Sequence, residues 1–159
     1  MATELSPNLT SMGNTGALRE FWIKVEGFGG LSSPGSATVV NSVENPVYED
    51  LAIIKAELYV KTGSGSVATD LDIGLADDAD GSNIGAELAD GLESATLDAE
   101  GVKELGIVRA IDDPPVQPIW KAKGNSTDSF ISTIQKGDVD ASALVANLLL
   151  KCVPVVDMS

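Results

Sequence analysis

A chain of 159 residues with 24 acidic and 10 basic side chains carries a formal net charge of −14 and contains no histidine. The length fits one domain able to bury a core, and the charge repels phosphate backbones and anionic membrane surfaces, so neither nucleic acid nor membrane is expected as a partner. Without histidine, serine triads, papain-like dyads and His-based zinc or iron sites are excluded in their usual forms.

Residues 1–17 are polar and rich in Ser, Asn, Thr and Gly, and they read as a flexible N-terminal arm. They lack the basic and apolar regions of a signal peptide, and no run approaches the ~18 apolar residues of a membrane span. An intracellular origin is therefore expected. In "REFWIKVEGFGG", Phe21, Ile23 and Val25 alternate with Trp22, Lys24 and Glu26, the period of a strand with one apolar face. Trp22 falls on the polar face, which suits an interface residue. Phe21 and Trp22 are interface candidates, with Leu9 and Met12 on the arm.

Glycine, serine and proline mark 27–36 as a loop, "ATVVNSV" (37–43) as a short strand follows, and Asn45-Pro46 marks a turn. "LAIIKAELYVKT" (51–62) is the clearest strand, with Ile54, Ala56, Leu58 and Val60 on one face and Ile53, Lys55, Glu57 and Tyr59 on the other. "GSGS" (63–66) reads as a hairpin turn into "VATDLDIGLA" (67–76). Residues 77–104 read as a long connection with one helical turn at most, because Gly81, Gly85 and Gly91 interrupt it. Further strands are expected at 105–111, 119–123 and 128–134, with a turn between the last of these and the long apolar run 143–153, whose flanks and spacing suit a central strand, with ten residues of helix as the alternative. Cys152 lies in that strand and reads as a buried structural thiol, since no histidine can activate it.

The expected organisation is an arm (1–17), one domain (18–155) and a tail (156–159). The class is all-β, an antiparallel sandwich of about eight strands. Long loops at 27–36 and 77–104 suit Greek-key or jelly-roll crossings rather than a meander.

Candidate chemistry is confined to acidic turns. In "DDADGSNIGAE", an EF-hand count that places Gly81 sixth puts Asp78 third, Asp80 fifth and Glu87 twelfth, but Ala76 then stands first without a ligand. A looser calcium cage would use Asp77, Asp78, Asp80 and Asn83. Asp70 and Asp72 share a strand face that the alternation assigns to water; as a pair they are the candidates for glycosidase-type acid–base work. Asp112 and Asp113, and Asp138 and Asp140, read as turn residues. No phosphate loop, dinucleotide fingerprint or cysteine cluster is present, and no cofactor or enzymatic activity is expected.

The stretch "ELYVKTGSGSVATDLDIGLADDADGSNIGAELADGL" and the ending "GDVDASALVANLLLKCVPVV" resemble a pattern in small β-sandwich virion proteins of tailed phages and related archaeal viruses. There, a strand and Gly/Ser turn lead into a "DIG" strand and a polar Asp/Asn/Gly loop, and a "GD-x-x-AS" turn leads into a long apolar closing strand. The resemblance covers roughly residues 50–155. It implies a jelly-roll-like capsid decoration (cement) protein, or a head-fibre or tail-associated module. It further implies a homotrimer on the outer surface of the capsid lattice, made in the host cytoplasm, with the N-terminal arm reaching the major capsid protein. The absence of a collagen-like or coiled-coil stalk favours cement over fibre. The alternative is a carbohydrate- or calcium-binding sandwich module of a tail or head fibre, with 77–87 as its ligand loop.

Overall fold

A computed structural model of the chain describes residues 19–30, 38–64, 70–80, 84–93, 97–105, 118–136 and 140–158. Nine strands run through them: β1 (Phe21–Gly29), β2 (Thr38–Glu44), β3 (Leu51–Thr62), β4 (Asp70–Ala76), β5 (Ile84–Glu93), β6 (Gly101–Leu105), β7 (Ile119–Trp120), β8 (Phe130–Lys136) and β9 (Val145–Pro154). A 3-10 turn, Val155–Met158, follows β9. The protein is an antiparallel β-sandwich. Its first sheet has the order β1-β9-β3-β6, with β7 also paired to β3; its second has the order β2-β8-β4-β5. The pairs β1:β9, β2:β8, β3:β6 and β4:β5 are each antiparallel. Together they form one long ribbon that folds back at β4–β5 and winds its halves alternately into the two sheets.

The core lies between the sheets and follows the period-two pattern of the strands. From the first sheet it takes Val25, Phe28, Leu51, Ile53, Ala56, Leu58, Val60, Leu148, Leu150 and Cys152; from the second, Leu71, Ile73, Leu75 and Ile131. Burying one such Leu or Ile side chain contributes about 1.5–3 kcal/mol. β9 is central, as its apolar run suggested, and sits between β1 and β3.

Five expectations about the strands are corrected. The 51–62 and 67–76 strands are not a hairpin: β3 pairs with β9, β6 and β7, whereas β4 pairs with β5 and β8 in the other sheet. The chain crosses the sandwich after Thr62, where the Ser64 amide bonds the Leu97 carbonyl at 3.0 Å. Gly63 is required there, because a Cβ on it would sit 2.0 Å from the Asp98 carbonyl oxygen. The face assignment of β3 changes at its start. A bulge between Ile53 and Lys55 inserts Ile54 as an extra residue, so Ile53 and Ala56 both enter the core while Ile54 stays half-buried. The connection 77–104 contains two strands, β5 and β6. β5 tolerates its glycines because it pairs with β4 through three register shifts, which absorb residues that regular pairing would not.

Finally, β7 keeps only two residues of the expected 119–123 strand, because the chain turns back on itself and the Lys121 amide bonds the Asp128 carbonyl at 3.0 Å. β1 runs further than expected, to Gly29, by bulging at Gly27, whose φ of 83° a glycine adopts without strain. Of the expected strand at 105–111 only Leu105 lies within the described residues, as the end of β6. The arm 1–17 lies outside them.

Candidate functional site

One end of the sandwich holds a buried polar junction around Asn45, Trp120 and Ser129. Asn45 follows β2 and is fully buried. Its Nδ2 donates to the carbonyls of Glu49 (3.1 Å), Trp120 (3.1 Å) and Lys121 (2.9 Å). Its Oδ1 accepts the Val47 amide at 2.9 Å, and its own amide bonds the Ser129 carbonyl at 2.8 Å. One side chain thus fastens the β2–β3 loop to β7 and to the entry of β8. Trp120, also fully buried, donates its indole N–H to the same Ser129 carbonyl at 2.9 Å. Arg19 joins this end through Glu49 at 2.8 Å.

Asp50 accepts the Ala122 amide at 2.8 Å and pairs with Lys121 at 3.0 Å. The amide bond, with the lysine, holds its carboxyl below the ordinary aspartate range. The stability this contributes is complete above that range and is lost as pH falls through the lowered value.

The acidic loop after β4 meets this end. Asp77 Oδ1 accepts the amide of Asp128 at 3.0 Å. Asp128 has a left-handed backbone, φ 49°. Partial burial and then the Asp77 charge raise its pKa, with Lys121 opposing them. Charging Asp128 therefore costs more in the fold than in the unfolded chain, and stability recovers as pH falls through the raised value. Asn tolerates the left-handed region and carries no charge. Asp128→Asn is expected to raise the melting temperature at pH 7, with the advantage shrinking toward pH 3.5; scanning calorimetry at both pH values checks it.

Of the calcium candidates, Asp77, Asp78 and Asp80 lie within the described residues. Asp77 is turned to Asp128, and Asp78 Oδ1 accepts the amide of Asp80 at 3.0 Å within its own turn. Asn83 lies outside the described residues, as do Leu9, Met12, Asp112, Asp113 and Asp138. Among the described residues no group of three or more Cys, Asp or Glu side chains is placed to hold a metal ion. Asp140 bonds the Ser142 amide at 2.9 Å, as a turn residue does. Asp72 corrects its expectation: it is 5% exposed, not solvated. β4 is an interior strand of its sheet, and Asp72 lies opposite Ile134 of β8, itself buried. Cys152 is buried, and desolvation pushes its thiol up to about 12, away from the reactive thiolate.

The second region is the outer face of the first sheet. Phe21 is turned inward and packs against the core. Trp22 is turned the other way and is 50% exposed. Tyr59 and Val102 are direct partners across β3 and β6, 40% and 58% exposed. Leu149, half-buried, pairs with Lys24 on β1 and Glu57 on β3. Trp22, Leu149, Tyr59 and Val102 therefore form a diagonal apolar stripe across all four principal strands, and Val145, 48% exposed, extends it at the start of β9. Ion pairs flank it: Lys24–Glu26 at 2.8 Å, Lys55–Glu57 at 2.7 Å and Lys151–Glu20 at 2.6 Å. Sequence reasoning found Trp22 on its polar strand face but missed Leu149 and Val102. The pairing that lines them up joins strands far apart in the chain, and only Tyr59, an aromatic among charged alternates, carried a local signal.

Neither a family model nor a curated protein matches the chain. A chain in the solved structure of infectious bursal disease virus, Gt strain, is similar at 14% identity over 86% of this chain and 38% of that one, with a TM-score of 0.32. The present chain thus spans well under half of that chain, and a likeness at this level carries no functional argument.

Proposed function

We propose that the protein is a non-enzymatic structural component of a virus particle, a capsid decoration protein that forms homotrimers on the outer surface of the shell. We read the wound ribbon as a jelly roll, an architecture used by capsid and lectin domains. The observation that carries the proposal is the apolar stripe on an otherwise acidic molecule, with Trp22, Tyr59 and Val102 presented outward. The sequence pattern around the "DIG" strand and the closing strand supports the same reading.

Cementing a shell requires many copies making modest contacts, since repetition supplies the strength. A decoration protein that opposes swelling must distinguish the expanded lattice from its precursor, which is a difference in affinity for two states. Residues 1–17 are assigned the contact with the major capsid protein.

The test is cosedimentation of the purified protein with expanded heads and with unexpanded precursor shells of the virus that encodes it. Saturable binding to expanded heads, lost on deleting residues 1–17 without a change in melting temperature, is expected. Absence of binding to both forms, or equal binding to both, contradicts the proposal.

A further inference from the structure

We infer that the outer face of the β1-β9-β3-β6 sheet is a self-association surface that receives a second copy of this chain through Trp22, Leu149, Tyr59 and Val102. The inference rests on the assembly reading and names the surface that makes the oligomer. Its main support is where the charge lies. The chain carries −14, so two copies repel one another over most of their surface. The charge is unevenly distributed. The strands of the second sheet hold six acidic residues and one lysine. Those of the first hold five lysines and three glutamates.

On the outer face of the first sheet the charges also neutralise one another locally. Lys24 meets Glu26, Lys55 meets Glu57 with Glu104 at 4.0 Å, and Lys151 meets Glu20. This face can meet its own copy without opposing like charges, and it brings a Trp and a Tyr, residues that dominate binding energy when desolvated. Against a strongly basic partner it offers little, because its carboxylates are already paired and its strands carry the chain's excess of lysine.

Charge also dictates the sign of the salt effect. Contact between balanced faces leaves only the long-range repulsion between acidic bodies, which salt screens, so salt tightens this self-association. Packing of the first sheet on the acidic second sheet of a neighbour would instead be a charge attraction, which salt weakens.

The experiment is sedimentation velocity of the full chain over a concentration series, at about 0.02 M and about 0.5 M NaCl. Self-association is expected, tighter at the higher salt. The double variant W22E/Y59E is expected to weaken it by roughly 100-fold or more, with circular dichroism and melting temperature unchanged because both side chains face solvent. V102E alone is expected to weaken it in the same direction. Y48S/V156S, which alters exposed apolar residues off this face, is expected to self-associate like the parent. A monomer at every concentration and salt, an oligomer that salt loosens, or an oligomer indifferent to W22E/Y59E would overturn the inference. Shell binding is read separately. A stripe-dependent oligomer that ignores shells sinks the decoration reading and leaves the self-contact standing, whereas a shell-binding monomer does the reverse.

Discussion

Asn45→Ala is expected to cost about 3–5 kcal/mol of stability, a large share of the roughly 5–15 kcal/mol typical of a domain. The residue is fully buried, and its two amide hydrogens are shared among three carbonyls while its oxygen holds the Val47 amide. Alanine leaves all four backbone groups without that partner in a site where water does not replace it. A stranded buried polar group costs about 1–3 kcal/mol, and relaxation of the loop keeps the total below the simple sum. Asn45→Asp tests the direction of the bonds. It keeps the acceptor for Val47 but points a carboxylate at three carbonyl oxygens, so it is expected to be at least as damaging as alanine. Urea denaturation at pH 7 reads both variants as a fall in midpoint with little change in slope. An unfolding free energy within about 0.5 kcal/mol of the parent would show that this junction is not a keystone of the fold.

Trp120→Ala is the second large effect, expected at about 3–5 kcal/mol. Trp120 is the largest fully buried side chain, and its strand partner Leu51 is equally buried. Truncation opens a cavity and also removes the indole donor from Ser129. Trp120→Phe separates the two contributions: it fills most of the volume and loses only the hydrogen bond, so about 1–2 kcal/mol is expected. The two positions share the Ser129 carbonyl, and the Trp120 carbonyl itself accepts from Asn45. The double variant N45A/W120A should therefore cost less than the sum of the singles, by an interaction of about 0.5–3 kcal/mol. Strict additivity would mean that the junction does not act as one unit.

The legible part of the sequence was the part written in local pattern. β8 and the core half of β1 follow from apolar residues two apart, β2 from its β-branched residues and β9 from its long apolar run. What was illegible is set by partners distant in the chain. The Gly/Ser turn at 63–66 carries a hairpin signature, yet Gly63 packs on the backbone of Asp98 and sends β4 into the other sheet. β5 looks too glycine-rich to be a strand, and it becomes one through bulged pairing with β4. Ile53 enters the core because β3 bulges against β9, which nothing in "LAIIKAEL" announces. Asp72 looked solvated because alternation identifies a second face without telling what covers it.

The surface stripe shows the same division. Trp22 was visible as an aromatic out of phase with its strand. Leu149 is hidden in the run "NLLLK", where successive leucines lie on opposite sides of one strand. Asn45 was visible only as the first half of an Asn-Pro turn, and its four side-chain bonds depend on segments more than 70 residues away as well as on its own loop.

The central claim is that this protein belongs to the outside of a particle in many copies. The most direct measurement is its copy number on purified particles of the encoding virus, from quantitative mass spectrometry against the major capsid protein. The account predicts a high and constant ratio, with copies released as oligomers when the particle is gently dissociated. Absence of the chain from the particle, or only a handful of copies per particle, would contradict it.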